Sequence, residues 1–189
     1  MRAIVIREPG GPEVLELREV ATPEPSQGQV RVRIRATSVN RADLLQRLGV
    51  YPAPAGSPPD VPGLEIAGEV DAIGDGAIEF PLGARVFGVV GGGGYAEFIV
   101  VHARTLAPIP EGMTFVDAAA VPEAFVTAWD ALVDQAHVSA GDVVLVHAVG
   151  SGVGTAALQL AHAVGASVVG TARTREKIER ARGLGLTQG

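Results

Sequence analysis

The 189-residue sequence contains no cysteine. That absence excludes disulfides, thiolate zinc sites, iron–sulfur clusters and a thiol nucleophile together, and it fits a reducing cytoplasm. Aromatic residues are scarce at 4%, and the 19% of charged residues leave a net charge of -6 without any run of lysine or arginine. Arg31, Arg33, Arg35 and Arg41 come nearest to a cluster, but they mostly alternate with apolar residues. A nucleic-acid surface needs a basic stripe with few acids nearby, so no nucleic-acid partner is expected. The opening Met1 to Arg7 is too short an apolar run for a signal peptide. One stretch, Val143 to Ala172, lacks Asp, Glu, Lys and Arg entirely, yet Gly150, Gly152, Gly154, Gly165 and Gly170 divide it. It reads as strand, turn, helix and strand buried on both faces rather than as a membrane span.

What the chain has in excess is glycine and proline. The 25 Gly and 13 Pro make up about a fifth of it, against ~12% on average. They are interleaved with aliphatic runs, which indicates tight turns in a folded chain. Ile4 to Ile6, Val14 to Val20, Leu64 to Ile73, Ala84 to Val90 and Tyr95 to Val101 read as strands. Between 30 and 36 the alternation is strict, with Val30, Val32, Ile34 and Ala36 facing inward and three arginines expected in solvent. Asn40 to Leu48 has helical spacing in Leu44, Leu45 and Leu48, and the proline-rich 51–59 is irregular. This first part reads as a small β-barrel-like unit ending near Pro110. From Thr114 the pattern turns helical, and the single Trp129 is expected in a core or between domains.

The most informative segment begins at Asp142. A β-rich run to Ala148 is followed by Gly150-Ser151-Gly152-Val153-Gly154, a helix-forming stretch to Val164, and a second strand from Ala166 to Thr171. A glycine motif gains weight in this context. The chain must turn sharply, a pyrophosphate must approach the backbone, and the helix must pack close on the strand. The helix start then offers free N–H groups and partial positive charge to phosphates. The spacing departs from GxGxxG, because its third place falls on Thr155. After the second strand come Arg173, Thr174 and Lys177, with no acid before Glu176. An NAD site places an acid there, so a 2′-phosphate and NADPH are favoured. Thr174 can also serve as an ordinary helix N-cap.

Other chemistries are set aside on spacing. Gly150-Ser151-Gly152 is no nucleophile elbow, since GxSxG needs glycine at Val149. The four histidines have no HExxH pattern, and His147, inside a strand, reads as a satisfied core residue. Asp71 to Gly76 resembles a calcium loop only superficially. No metal site is expected.

Asn40-Arg41-Ala42-Asp43-Leu44, Pro62-Gly63-Leu64-Glu65, Ala119-Ala120-Val121-Pro122-Glu123-Ala124 and His147 to Gly154 together resemble the medium-chain dehydrogenase/reductase superfamily. Within it the chain is most similar to zinc-free quinone oxidoreductases of the p53-inducible type. The resemblance implies an α/β fold with a GroES-like catalytic domain over 1–122 and the first part of a Rossmann domain over 123–189. It further implies NADPH in the cleft between them. Where zinc-dependent members carry Gly-His-Glu, this chain has Gly63-Leu64-Glu65, and Asn40 lies near their first-helix cysteine. Without a Lewis acid, hydride transfer to an already electrophilic quinone or enone is favoured over alcohol oxidation. By the same resemblance Asn40 and Tyr51 line the substrate side, with Tyr51 as donor to the acceptor oxygen. Thr127 faces the nicotinamide, Gly150, Ser151, Gly152, Val153 and Gly154 touch the pyrophosphate, and Arg173, Thr174 and Lys177 hold the 2′-phosphate.

A doubly wound domain needs about six strands, and two are found before Gly189. On that expectation the chain is a truncated product, a frameshifted reading or a fragment of an enzyme that is a homodimer when complete. Two alternatives to a working reductase follow: a non-catalytic NADPH-binding relative, and an inactive remnant with an exposed sheet edge.

Overall fold

β-Branched residues at alternate positions give the first half its strands. The computed structural model describes residues 1–189, and these divide into two units, Met1–Pro122 and Glu123–Gly189. In the first unit β1 (Arg2–Ile6) pairs antiparallel with β2 (Leu15–Glu19). A five-stranded antiparallel sheet is built from β3 (Gln29–Ala36), β4 (Glu65–Ile73), β5 (Arg85–Val89), β6 (Phe98–His102) and β7 (Ala107–Pro108), in the order β6-β3-β4-β5-β7. A bridge between Ala3 and Ala96 joins the hairpin to it. Val30, Val32, Ile66, Val70, Val86 and Ile99, drawn from four strands, fill one core. Ala67, Ile109, Ala118 and Ala119 form a smaller one, to which α2 (Phe115–Ala118) contributes.

The arginine face of β3 is only partly in solvent. Arg31 is 16% exposed, because Asp71 on β4 and Glu24 take its guanidinium and the Phe98 ring lies under it at 5.5 Å. Antiparallel pairing puts those partners beside it, so the charge is satisfied without water. Helix α1 (Arg41–Arg47) also departs from expectation. Its buried residues are Asp43 and Gln46, whereas Leu48 is exposed. Polar partners reach this helix from elsewhere in the chain, and they decide which face turns inward.

Helix α3 (Pro122–Trp129) starts on the last residue of the first unit, runs into the second and continues as a π-helical segment over Asp130–Gln135. Trp129 is 47% exposed, so it is not a core residue. β8 (Val143–Val146) and β9 (Ser167–Gly170) are parallel and are connected by α4 (Gly152–Ala163). α5 (Arg175–Arg182) follows, and then Gln188 pairs in parallel with Val169, which starts a third strand lane. Val149, Leu158, Ala161 and Val168 anchor the core between sheet and helices. The sheet is covered on one face only: Val143 is 71% and Leu145 57% exposed, against the expectation of burial on both faces. His147 shares that open face and is exposed, so it is no core histidine. A fully apolar strand pattern needs two covering layers, and α4 supplies one.

Candidate functional site

At the carboxyl end of β8 the chain turns through Ala148, a non-glycine residue with φ of 54°. Val149 is buried and its amide donates to the Thr171 carbonyl at 2.9 Å, which fixes the turn to the end of β9. Ser151 caps α4, its Oγ accepting from the Gly154 amide at 3.0 Å. The amides of Gly152 and Val153, the first two residues of α4, have no acceptor in the protein, as helix geometry dictates. Two glycines here do different things. A Cβ on Gly154 would stand 2.4 Å from the Ala148 carbonyl oxygen, so only glycine lets the helix start so close to the strand. A Cβ on Gly152 would meet nothing within 4 Å, so that backbone opens onto free space. The aliphatic stem of Lys177 lies against Gly150.

The cations nearby separate into two groups. Arg175 and Arg182 pair with Glu179, and Arg180 pairs with Glu176. Arg173 and Lys177 make no ion pair and are exposed. Thr174 precedes α5 as its N-cap but makes no side-chain capping bond, so its hydroxyl is free. Open helix amides, space above them and two unpaired cations are each features that favour an anion electrostatically. Thr127 on α3 is exposed, and its hydroxyl donates to the Glu123 carbonyl at 2.6 Å.

The first unit holds a buried polar cluster that sequence reasoning missed. Asp43, 4% exposed, closes a capping box with Asn40 at the start of α1. Its carboxylate accepts from the Asn40 amide at 2.7 Å, the Gly63 amide at 3.1 Å and the Tyr95 hydroxyl at 3.1 Å. Burial, and then the Asp43 charge, push the Tyr95 phenol well above its ordinary value, so it stays protonated and donates. Glu65, 2% exposed, accepts from the Asn40 side-chain amide at 2.7 Å and from the Ser38 hydroxyl. The Asn40 amide also donates to Ser38 Oγ at 3.0 Å, so its donors are engaged within the protein. One readable signal was the Asn-x-x-Asp spacing of 40–43. Another was a lone carboxylate, Glu65, in an apolar strand.

α1 is locked at its other end too. Val50 donates to the Leu45 carbonyl and Gly49 to that of Gln46, a Schellman closure with Gly49 at φ of 75°. Tyr51 follows directly; it is 42% exposed and its hydroxyl makes no hydrogen bond. Asn40 and Tyr51 thus flank one capped helix, the first engaged and the second free. Leu64, which stands beside Glu65, is buried and carries no ligating atom. No group of three or more His, Asp or Glu side chains comes together. A cavity of about 920 Å³ in this unit runs along β6 and includes neither Asn40 nor Tyr51. No helix is long and apolar enough to cross a membrane.

Residues 26–111 match the alcohol dehydrogenase GroES-like domain. Human quinone oxidoreductase is 42% identical over 180 residues, covering 93% of this chain and 54% of that protein. The solved structure of Escherichia coli quinone oxidoreductase complexed with NADPH superposes with a TM-score of 0.89 at 30% identity, over 100% of this chain and 57% of the other. The CurK enoyl reductase gives a TM-score of 0.90 at 29% identity, over 99% and 58%. The chain therefore spans about half the length of the curated relatives it matches. With its GroES-like segment and a parallel βαβ unit carrying the glycine turn, the chain belongs to the medium-chain dehydrogenase/reductase superfamily and is similar to that family's quinone oxidoreductases.

Proposed function

We propose that the chain is the acceptor- and phosphate-binding part of an NADPH-dependent, zinc-independent reductase that delivers a hydride to quinones or conjugated enones. The carrying observation is the open start of α4: unpartnered amides at Gly152 and Val153 under free space, beside the unpaired Arg173 and Lys177. The residues fit a dinucleotide. Gly150, Ser151, Gly152, Val153 and Gly154 take the pyrophosphate, where aligned amides and the helix dipole stabilise negative charge. Arg173, Thr174 and Lys177 take the 2′-phosphate, with two charges and a free hydroxyl, and Thr127 packs at the nicotinamide. Bound NADPH supplies the hydride.

On the acceptor side, the free Tyr51 hydroxyl donates to the oxygen on which negative charge develops, the task of an oxyanion donor. Asn40 acts through position, since its own donors hold Glu65 and Ser38. A zinc ion is not part of the proposal, because Leu64 stands where zinc-dependent relatives carry histidine. A quinone or enone, electrophilic already, needs only such a hydrogen bond. The similarity to named quinone oxidoreductases and an enoyl reductase supports this acceptor class. We place the complete protein in the cytoplasm as a homodimer.

Calorimetric titration with NADPH and NADH, followed by NADPH oxidation with a simple quinone, tests the reading. Tighter binding of NADPH and quinone-dependent turnover are expected. Equal affinity removes the 2′-phosphate assignment. Binding without turnover makes the chain a cofactor-binding relative, and no binding makes it an inactive remnant.

A further inference from the structure

Helix α1 is packed with its polar side inward. Its buried residues are Asp43 and Gln46, and Gln46 Nε2 donates to the Pro59 carbonyl at 3.3 Å. Arg47 is held through backbone and side chain together. Its carbonyl accepts from the Gly10 amide at 3.1 Å, and its Nε donates to the Gly10 carbonyl at 3.0 Å. Hydrogen bonds thus seat the helix, and the apolar residues that follow it are left outside. Leu48 is 46%, Val50 69% and Tyr51 42% exposed, three large side chains within four residues. The exposed Pro9 closes one flank of this group. A Cβ on Gly49 would stand 2.9 Å from Pro9 Cγ, so the proline ring lies directly against the turn between Leu48 and Val50. From Leu48 to Pro59 the chain carries no charged side chain, and its only hydroxyls are those of Tyr51 and Ser57.

Single apolar residues on a surface need no explanation, whereas a group of them around one free polar atom does. Small-molecule sites have that composition: apolar walls, with a polar group that fixes orientation. Here the polar group is the free Tyr51 hydroxyl, and Val50 is its chain neighbour. We propose that Leu48 and Val50 are specificity-determining residues that take up a hydrocarbon substituent of the acceptor. The acceptor class is then a quinone bearing an alkyl or prenyl chain, rather than a small unsubstituted ring. This rests on the reading of Tyr51 as donor to the acceptor oxygen. A methylene fully withdrawn from water strengthens binding by about fourfold. An open wall covers one side of a chain and gives less for each methylene, so a long substituent is favoured over a short one.

Calorimetric titration of the full chain with two benzoquinones, one with a decyl and one with a methyl substituent on the same ring, tests it. The natural protein, Leu48→Ser, Val50→Ser, the double variant and Tyr51→Phe are compared. In the natural protein the decyl compound is expected to bind at least about tenfold more tightly. Each serine variant cuts that ratio about threefold, and the double variant brings it close to unity. Tyr51→Phe weakens both quinones alike and leaves the ratio, because it removes only the bond to the ring oxygen. A merely structural role of Leu48 or Val50 would also weaken both quinones alike, and so overturns the inference. Val50→Thr keeps the shape and carries the test if the serine variants do not fold. A ratio close to unity in the natural protein overturns the inference, while weaker binding by Tyr51→Phe keeps the donor reading intact. A ratio that the folded serine variants retain overturns it too, because the chain then lies elsewhere on the protein. If Tyr51→Phe binds both quinones undiminished, or the natural protein binds neither, the donor reading and the inference fall together.

Discussion

Alanine at Gly154 and alanine at Gly152 are the same chemical change two residues apart, with opposite expected outcomes. At Gly154 the new Cβ stands 2.4 Å from the Ala148 carbonyl oxygen and 2.8 Å from Val149 Cα. These are backbone atoms of a turn fixed by the Val149–Thr171 bond, so they cannot rotate away. Overpacking of this kind costs about 1–3 kcal/mol. The better helix propensity of alanine offsets about 1 kcal/mol, which leaves a net loss of up to about 2 kcal/mol. For a chain of this size that lowers the melting temperature by up to roughly 8 °C. At Gly152 nothing lies within 4 Å, so stability stays within about 0.5 kcal/mol of the natural protein. The methyl group instead occupies the space above the open amides, and NADPH affinity falls by at least about tenfold, or 1.4 kcal/mol. Thermal melts followed by far-ultraviolet circular dichroism and calorimetric titration with NADPH read the two effects separately. If Gly154→Ala melts at or above the natural temperature, the close-approach reasoning is wrong. If Gly152→Ala binds NADPH undiminished, the phosphates do not lie over these amides.

Tyr51→Phe should lower quinone turnover by about 10²-fold while leaving NADPH affinity unchanged, the signature of a lost donor to a developing oxyanion; steady-state kinetics check it. Asp43→Ala removes the acceptor of the Asn40 and Gly63 amides and the Tyr95 hydroxyl. Urea unfolding should register a loss of about 3 kcal/mol, and a loss below about 1 kcal/mol contradicts the burial. Tyr95 predicts alkaline behaviour with a definite sign. Its folded-state phenol value is raised above the unfolded one, so its contribution to stability is full below about pH 10 and is lost as pH climbs toward the folded value. The urea midpoint should fall with rising pH above about 10, and Tyr95→Phe should flatten that fall.

What could be read from the sequence was local. Gly150 to Gly154 lies between a strand and a helix within about 30 residues, so turn chemistry and periodicity alone place it on the βαβ unit. The alternation of Val30, Val32 and Ile34 likewise needs no distant information. The Asp43 cluster was hidden because its partners, Gly63 and Tyr95, are remote in sequence, and a first-turn aspartate ordinarily points to solvent. Arg31 was misjudged for the same reason: alternation assigns a face, while Asp71, forty positions on, decides whether that face is wet. His147 and the open face of β8 failed differently. An apolar run states that a strand wants two covering layers, and nothing in the run tells how many the rest of the chain provides.

The double closure of α1 makes it a spacer of fixed length. A seven-residue helix would normally fray, and small insertions near it would be taken up by a ragged end. Here the carboxylate lock before the first turn and the glycine lock after the last leave no slack. One added residue must turn Tyr51 by about 100° and carry it about 1.5 Å along the axis relative to Asn40. Length variation in this family is therefore expected in the proline-rich stretch beyond Tyr51, and not within the helix that measures the distance to it.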